Sequence, residues 1–157
     1  MKQVFESENI SFIEVSESLI SDYLNMVNDA EHVGKLIGRT EPVTEEKERK
    51  WIRKKLEEKA TVFTMIEKKN GEFIGNIELM DANGIEAELG IAITCKKQDL
   101  GYGTEAIQAI IAYGKDTLKL KRIFLKAFPD NHRAIHVYEK CGFREYDRTE
   151  EEVFMEI

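Results

Sequence analysis

Nearly everything that would mark a secreted, disordered or membrane-bound chain is scarce here. Cysteine occurs twice, at Cys95 and Cys141, in no metal-ligand or redox spacing. The stretch Met1 to Glu8 is polar and carries no apolar export core, so reduced thiols in a cytoplasm are expected. Two prolines and ten glycines are too few for a disordered or repetitive linker. No apolar run approaches the roughly 18–20 residues of a membrane helix, so no membrane partner is expected. Positive charge is also short: 23 Lys and Arg against 30 Asp and Glu leave a formal net charge of −7. That argues against a nucleic-acid partner, whose binding rests on a basic field. What remains is a globular composition, 42% hydrophobic and 34% charged over 157 residues. This suits a single domain, 1–157, with a hydrophobic core.

Periodicity then orders the chain. Ile10 to Val15 alternates and predicts a strand. From Glu17 to about Val27, apolar residues recur at helical steps. Asn28 to Pro42 predicts a loop or broken helix. Thr44 suits an N-cap ahead of Glu45 and Glu46, and Trp51, Ile52, Lys55 and Leu56 mark one face of the helix it opens. Thr61 to Glu67 and Phe73 to Met80 flank Asn70-Gly71, a hairpin signal, and Asp81-Ala82-Asn83-Gly84 leads into a strand over Ile85 to Thr94. Ala106, Ile107, Ile110, Ile111 and Leu118 give a third helix its apolar face. A strand over Arg122 to Phe128, a helix over Asn131 to Lys140 stopped by Gly142, and a hairpin of Phe143 to Arg148 with Val153 to Ile157 complete the order β-α-α-β-β-β-α-β-α-β-β. The fold class is therefore mixed α/β.

Chemistry enters at Gln98-Asp99-Leu100-Gly101-Tyr102-Gly103-Thr104, between a strand and a long helix. A glycine-rich turn that opens a helix aims several N–H groups and the positive end of the helix dipole at one spot, which suits a phosphate. Gly101, Gly103 and Ala106 also fit a G-x-G-x-x-A dinucleotide fingerprint, and a nicotinamide-dependent oxidoreductase is one alternative. Against it, Cys95 to Leu100 intervene after the strand, and Lys121 stands where an acidic ribose contact belongs.

A second motif, Asn131-His132-Arg133-Ala134-Ile135-His136-Val137-Tyr138-Glu139-Lys140-Cys141-Gly142-Phe143, follows N-x-x-A-I-x-x-Y-x-K-x-G-F. With Gln98-x-x-Gly101-x-Gly103 and this element order, the chain resembles the GNAT superfamily of N-acetyltransferases. Glu88-Leu89-Gly90 is most similar to its ribosomal-protein and spermidine acetyltransferase branch. The resemblance implies a mostly antiparallel sheet of about seven strands, with the fourth and fifth splayed apart and four helices around it. It implies acetyl-CoA as co-substrate, no metal, and direct transfer to an amine without an acyl-enzyme. The backbone of Ile91, Ala92 and Ile93 would bond the pantetheine amides. Gln98, Asp99, Leu100, Gly101, Tyr102, Gly103 and Thr104 would receive the pyrophosphate, with Lys96 and Lys97 adding attraction. Asn131 would bond the cofactor arm, cap the helix, or do both.

In the family a tyrosine at the position of Tyr138 supplies a proton, or a hydrogen bond, to the leaving sulfur. Glu88 is the leading candidate to help deprotonate the amine, with Glu86, Glu78 or a water as alternatives. His32 and His136 are weaker candidates, and Cys95 and Cys141 are read as incidental. The acceptor, a small-molecule or peptide amine, would be set by residues 18–59 and the last hairpin. The acidic Glu41, Glu45, Glu46 and Glu48 suit either a cationic acceptor or an ordinary exposed helix. A rival function is a non-catalytic acyl-CoA sensor on the same fold, and the protein is expected to be a monomer or homodimer.

Overall fold

A computed structural model describes residues 2–39 and 41–157, so Met1 and Thr40 lie outside the described residues. The strands are β1 (Gln3–Glu6), β2 (Ile10–Glu14), β3 (Thr61–Glu67), β4 (Phe73–Met80), β5 (Glu86–Ile93), β6 (Arg122–Ala127), β7 (Arg144–Arg148) and β8 (Val153–Glu156). The helices are α1 (Ile20–Val27), α2 (Glu45–Glu57), α3 (Tyr102–Ala112) and α4 (His132–Lys140), joined in places by short 3₁₀ and π turns. None is long and apolar enough to cross a membrane.

Local chemistry accounts for the element ends. Thr44 caps α2 by accepting from the Lys47 N–H at 3.2 Å, and Asn131 caps α4 by accepting from the Ala134 N–H at 3.3 Å. Gly142 ends α4 at φ +103°, a conformation that favours glycine. At the turn into β5, the Asn83 side chain accepts from the N–H groups of Ile85 and Glu86.

The eight strands form one sheet in the order β1-β2-β3-β4-β5-β6-β8-β7. Every neighbouring pair is antiparallel except β5–β6. That parallel pair extends only over Glu86–Arg122, Ala87–Ile123 and Glu88–Phe124. Beyond Glu88 the two strands part, while β5 stays paired to β4 as far as Ile93. This is the splay the resemblance implies.

The count of eight corrects the expected seven. The extra strand, β1, has only four residues, too short to show a period, and its anchor is a tertiary contact. Phe5 stacks between Phe12, at a ring separation of 4.2 Å, and Tyr113, at 4.5 Å. The face expected of α2 also needs correcting. Ile52 is fully buried, but Leu56 is 44% exposed.

The apolar interior falls into two clusters. The larger joins the sheet to α3 and α4 through residues such as Met65, Ile77, Leu89, Ile107, Ile110 and Leu125. A smaller one, built on Val15, Ile20, Tyr23, Ile52 and Val62, holds α1 and α2 to the near half of the sheet.

Candidate active site

The parting of β5 from β6 opens a cleft of about 240 Å³ on the side of α3 and α4. Of the residues expected to hold the cofactor, Ile91, Ala92, Ile93, Gln98, Asp99, Gly101, Gly103, Thr104 and Asn131 line it, as does Tyr138. Leu100 and Tyr102 do not. Leu100 is 60% exposed, and the Tyr102 ring is buried, with its hydroxyl donating to Glu67.

Geometry favours an anion at the turn. Asp99 and Gly101 both take left-handed backbone, at φ +61° and +87°, which curls successive N–H groups inward. The first helical bond of α3 runs from the Glu105 N–H to Gly101 O at 3.2 Å. The N–H groups of Tyr102, Gly103 and Thr104 are thus left without helical acceptors.

Side chains hold this turn in place. The Gln98 amide donates to His32 O at 3.0 Å and to Ile93 O at 2.9 Å, and accepts from Arg133 at 3.3 Å. Lys97, expected to attract phosphate, is already committed. Its ammonium lies 2.6 Å from Glu72 and 3.3 Å from the buried Glu67. The Tyr102 hydroxyl, with Lys97, holds the Glu67 carboxyl below the usual carboxylate range. Burial and this carboxylate push Tyr102 up to about 12.

A second cavity, of about 460 Å³, opens on the other side of the splay, beneath α1 and α2. It shares Ile91, Ala92, Leu36, Ile37 and Tyr138 with the first cleft. Two chambers therefore meet at the splayed strands, with Tyr138 in the wall of both. Tyr138 is half-buried against Phe143, in an edge-on contact at 6.0 Å. Burial pushes its phenol up to about 12.

Glu88 lines the second chamber, with its carboxylate 3.9 Å from the Lys126 ammonium. Glu78 lines it too, 3.3 Å from Lys55, and the bare Gly90 beside it leaves that side chain room. Glu86 lines neither chamber and lies 3.4 Å from Arg122. His136 is exposed and lines neither chamber, whereas His32 lines the first cleft. The Cys141 thiol sits 3.8 Å from Thr104 O and is pushed up by burial, consistent with an inert role.

Several features escaped the sequence because they depend on tertiary approach. Asn76 is oriented by a chain of bonds. The Ser16 N–H donates to the Tyr23 hydroxyl at 3.1 Å, that hydroxyl meets Thr64 at 2.5 Å, and Thr64 donates to Asn76 Oδ1 at 2.8 Å. The Asn76 NH₂ group is thereby left to the chamber it lines. Gly75 lies so close to the Ala92 carbonyl that a Cβ there would stand 2.0 Å from its oxygen. Glu48, which the sequence groups with Glu41, Glu45 and Glu46 as suiting either a cationic acceptor or an exposed helix, is 5% exposed. Asp29, His32 and Cys95 bring potential ligand atoms within 4.8 Å of one another, from segments too far apart in sequence to form a motif.

Known proteins share this architecture. The acetyltransferase (GNAT) domain family matches residues 10–144. The spermidine N(1)-acetyltransferase of Vibrio cholerae is 33% identical over 93 residues, which is 58% of this chain and 54% of that one. The chain spans about half the length of the curated relatives it matches. A GNAT-family acetyltransferase from Bacillus anthracis superposes with a TM-score of 0.85, covering 97% of this chain and 96% of that one at 24% identity. Spermidine N-acetyltransferase from Vibrio cholerae, in complex with CoA and spermine, gives 0.87 over 96% of each chain at 21% identity. These structural likenesses speak to fold; the family match speaks to lineage, and by it the chain belongs to the GNAT acetyltransferase family.

Proposed function

We propose that the protein transfers the acetyl group of acetyl-CoA to a primary amine, directly, with both substrates bound together. The observation that carries this reading is the pair of chambers meeting at the splay, with Tyr138 in the wall of both. One chamber begins at a helix-opening turn whose N–H groups suit an anion; Glu78 and Glu88 line the other.

The residues present fit the cofactor. N–H groups at the start of α3 lack helical acceptors, and among the described residues no strand pairs with the β6-facing edge of β5 beyond Glu88. In this reading the turn from Gln98 to Thr104 takes the pyrophosphate. The backbone of Ile91 to Ile93 pairs with the amides of the pantetheine arm, and Asn131 steadies that arm with the amide nitrogen its cap leaves unused. The thioester supplies an acetyl group, which the amine nitrogen takes up as the C–S bond breaks and the sulfur leaves as a thiolate.

Tyr138, with its pKa at about 12, remains a phenol throughout the neutral range. Proton transfer from it to a thiolate of ordinary pKa, about 8.5, is some three orders of magnitude uphill. Its main contribution is therefore a hydrogen bond to the leaving sulfur. Full transfer requires the same burial to raise the thiol as well. An amine of pKa about 10.4 arrives protonated, and Glu88, directly or through water, accepts the proton it must lose. Holding amine and thioester at one opening supplies the rest of the rate.

The test is thiol release from acetyl-CoA with a panel of spermidine, aminoglycosides and basic N-terminal peptides, for wild type and Tyr138→Phe. The expected result is turnover of at least one amine, reduced roughly 100-fold in kcat by the substitution. Equal turnover by both proteins removes Tyr138 from the chemistry. Tight acetyl-CoA binding without turnover of any amine favours the sensor role.

A further inference from the structure

We propose that Asp29, His32 and Cys95 bind one divalent cation of zinc-like chemistry beside the first cleft, and that the ion ties the turn Ala30–Gly34 to the turn Cys95–Lys97 that precedes α3. The proposal stands independently of the acetyl-transfer reading above.

The potential ligand atoms of the three residues lie within 4.8 Å of one another, although Cys95 comes from a distant part of the chain. Asp29 and His32 are already drawn together, with His32 Nδ1 at 3.1 Å and 3.2 Å from the two carboxylate oxygens. Nitrogen and oxygen ligands of one tetrahedral zinc, at bond lengths of about 2.0–2.1 Å, lie about 3.3 Å apart. A sulfur ligand, about 2.3 Å from the metal, lies about 3.6 Å from each. The Cys95 thiol therefore has little distance to close, which is within the freedom of an exposed side chain. The backbone beneath the three is fixed. The N–H groups of Val33 and Gly34 both donate to Asp29 O at 2.9 Å, and the His32 N–H donates to Asp29 Oδ1 at 3.2 Å. On the other side the Gln98 N–H donates to Cys95 O at 3.2 Å, and the Gln98 side chain reaches across to His32 O at 3.0 Å. The two segments are thus held face to face by bonds that need no ion.

The donor set says which cation. One thiolate, one imidazole and one carboxylate form a borderline-soft group, which favours zinc or cobalt(II) over the oxygen-seeking magnesium and calcium. Two of the three ligands are anionic when bound, so they balance the charge of the ion. Of the two lysines next along the chain from Cys95, Lys97 is turned away to Glu67 and Glu72, and Lys96 is exposed to solvent. Three protein ligands leave the fourth tetrahedral position to water. The role that follows from the position is a fastening one. Gln98 bridges His32 O and Ile93 O, so an ion on His32 and Cys95 braces the same junction from which the chain turns into α3.

The test is titration of the reduced, metal-free protein with Co²⁺, read by the thiolate-to-cobalt charge-transfer band in the near ultraviolet and followed by displacement with Zn²⁺. Wild type and Cys141→Ser are expected to develop the band and saturate at one equivalent. Zn²⁺ removes the band, and a large excess of Mg²⁺ or Ca²⁺ leaves it in place. Cys95→Ser loses the band. His32→Gln and Asp29→Asn each weaken binding by more than about 100-fold, beyond the 10- to 100-fold that loss of an outer partner costs. Zn²⁺ also raises the melting temperature of wild type and not that of Cys95→Ser, and melting curves without metal show that each variant is folded. A band that persists in Cys95→Ser, or that vanishes in Cys141→Ser, puts the ion elsewhere and overturns the proposal. So does the absence of a thiolate band in wild type. Binding undiminished in either His32→Gln or Asp29→Asn also overturns it, because the three residues would then not act as one ligand set.

Discussion

Replacing Gly75 by alanine adds one methyl group where β4 and β5 approach too closely to admit it. The new Cβ would stand 2.0 Å from Ala92 O and 3.0 Å from both Ala92 C and Ile93 Cα, where ordinary contact begins at 3.4 Å. The obstructing atoms are backbone, fixed in register by the pairs Gly75–Ile93 and Asn76–Ala92, so no side chain can swing aside. Relief requires β4 and β5 to separate or twist by about 1.4 Å. Overpacking of this kind costs about 1–3 kcal/mol. At about 2–4 °C per kcal/mol for a chain of this size, the melting temperature should fall by roughly 2–12 °C. Function should suffer more, because Ala92 and Ile93 line the chamber proposed for acetyl-CoA, and a displacement of about 1 Å there costs on the order of 100-fold. The assays are thermal melting and kcat/KM for acetyl-CoA. Gly103→Ala is the stability control, since its Cβ would meet only Ile93 Cδ1 at 3.5 Å. A Gly75→Ala protein that melts and turns over like wild type would refute the argument that this close approach shapes the cofactor strand.

The remaining expectations concern charge. Because the Tyr138 phenol titrates at about 12, kcat/KM should climb with pH as the amine loses its proton. No falling limb belonging to Tyr138 should appear below about pH 11, and a limb near pH 10 that vanishes in Tyr138→Phe would contradict the assignment. Glu67 and Glu72 are held below the usual carboxylate range, by Tyr102 then Lys97 and by Lys97 respectively. Their stabilisation is complete above the unfolded pKa of about 4.3 and is lost as pH falls through the lower folded values. Melting curves in acid should therefore drop steeply in wild type and less so in Glu67→Gln, which should start lower at neutral pH. Burial raises the Glu48 carboxyl, so its contribution is favourable at acid pH and lost as pH rises through the folded value. Glu48→Gln should melt about 2–4 °C above wild type at pH 8, if roughly 1 kcal/mol of the buried charge's cost is relieved, and the gain should shrink in acid.

The turn at Gln98 to Thr104 and the motif from Asn131 to Phe143 were legible because each is local: glycines, a cap and a helix stop at fixed offsets. The strands from Thr61 onward were legible for the same reason, punctuated by Asn70-Gly71 and Asn83-Gly84. What the sequence hid depends on distant partners. β1 is anchored through Phe5, whose slot is made by Phe12 and Tyr113. Lys97 looked like a phosphate ligand until Glu67 and Glu72 came within reach of it. Gly75 bears neither a positive φ nor a turn, so nothing local marks it. Glu48 is one of several acids along α2, and only the fold separates it from its exposed neighbours.

The two apolar clusters carry a consequence for redesign. The wall that α1 and α2 give the chamber proposed for the acceptor rests on its own small interior of Val15, Ile20, Tyr23, Ile52 and Val62, whereas the turn from Gln98 to Thr104 and β6 rest on the larger one. Polar links cross between them along the line from Tyr23 through Thr64 to Asn76, from Lys55 to Glu78, and from the Gln98 amide to His32 O. A graft of residues 15–62 from another member of the family should change the proposed acceptor chamber while the larger interior stays intact, provided that those five interior positions, the Tyr23–Thr64 contact and the His32 carbonyl that receives Gln98 are kept compatible.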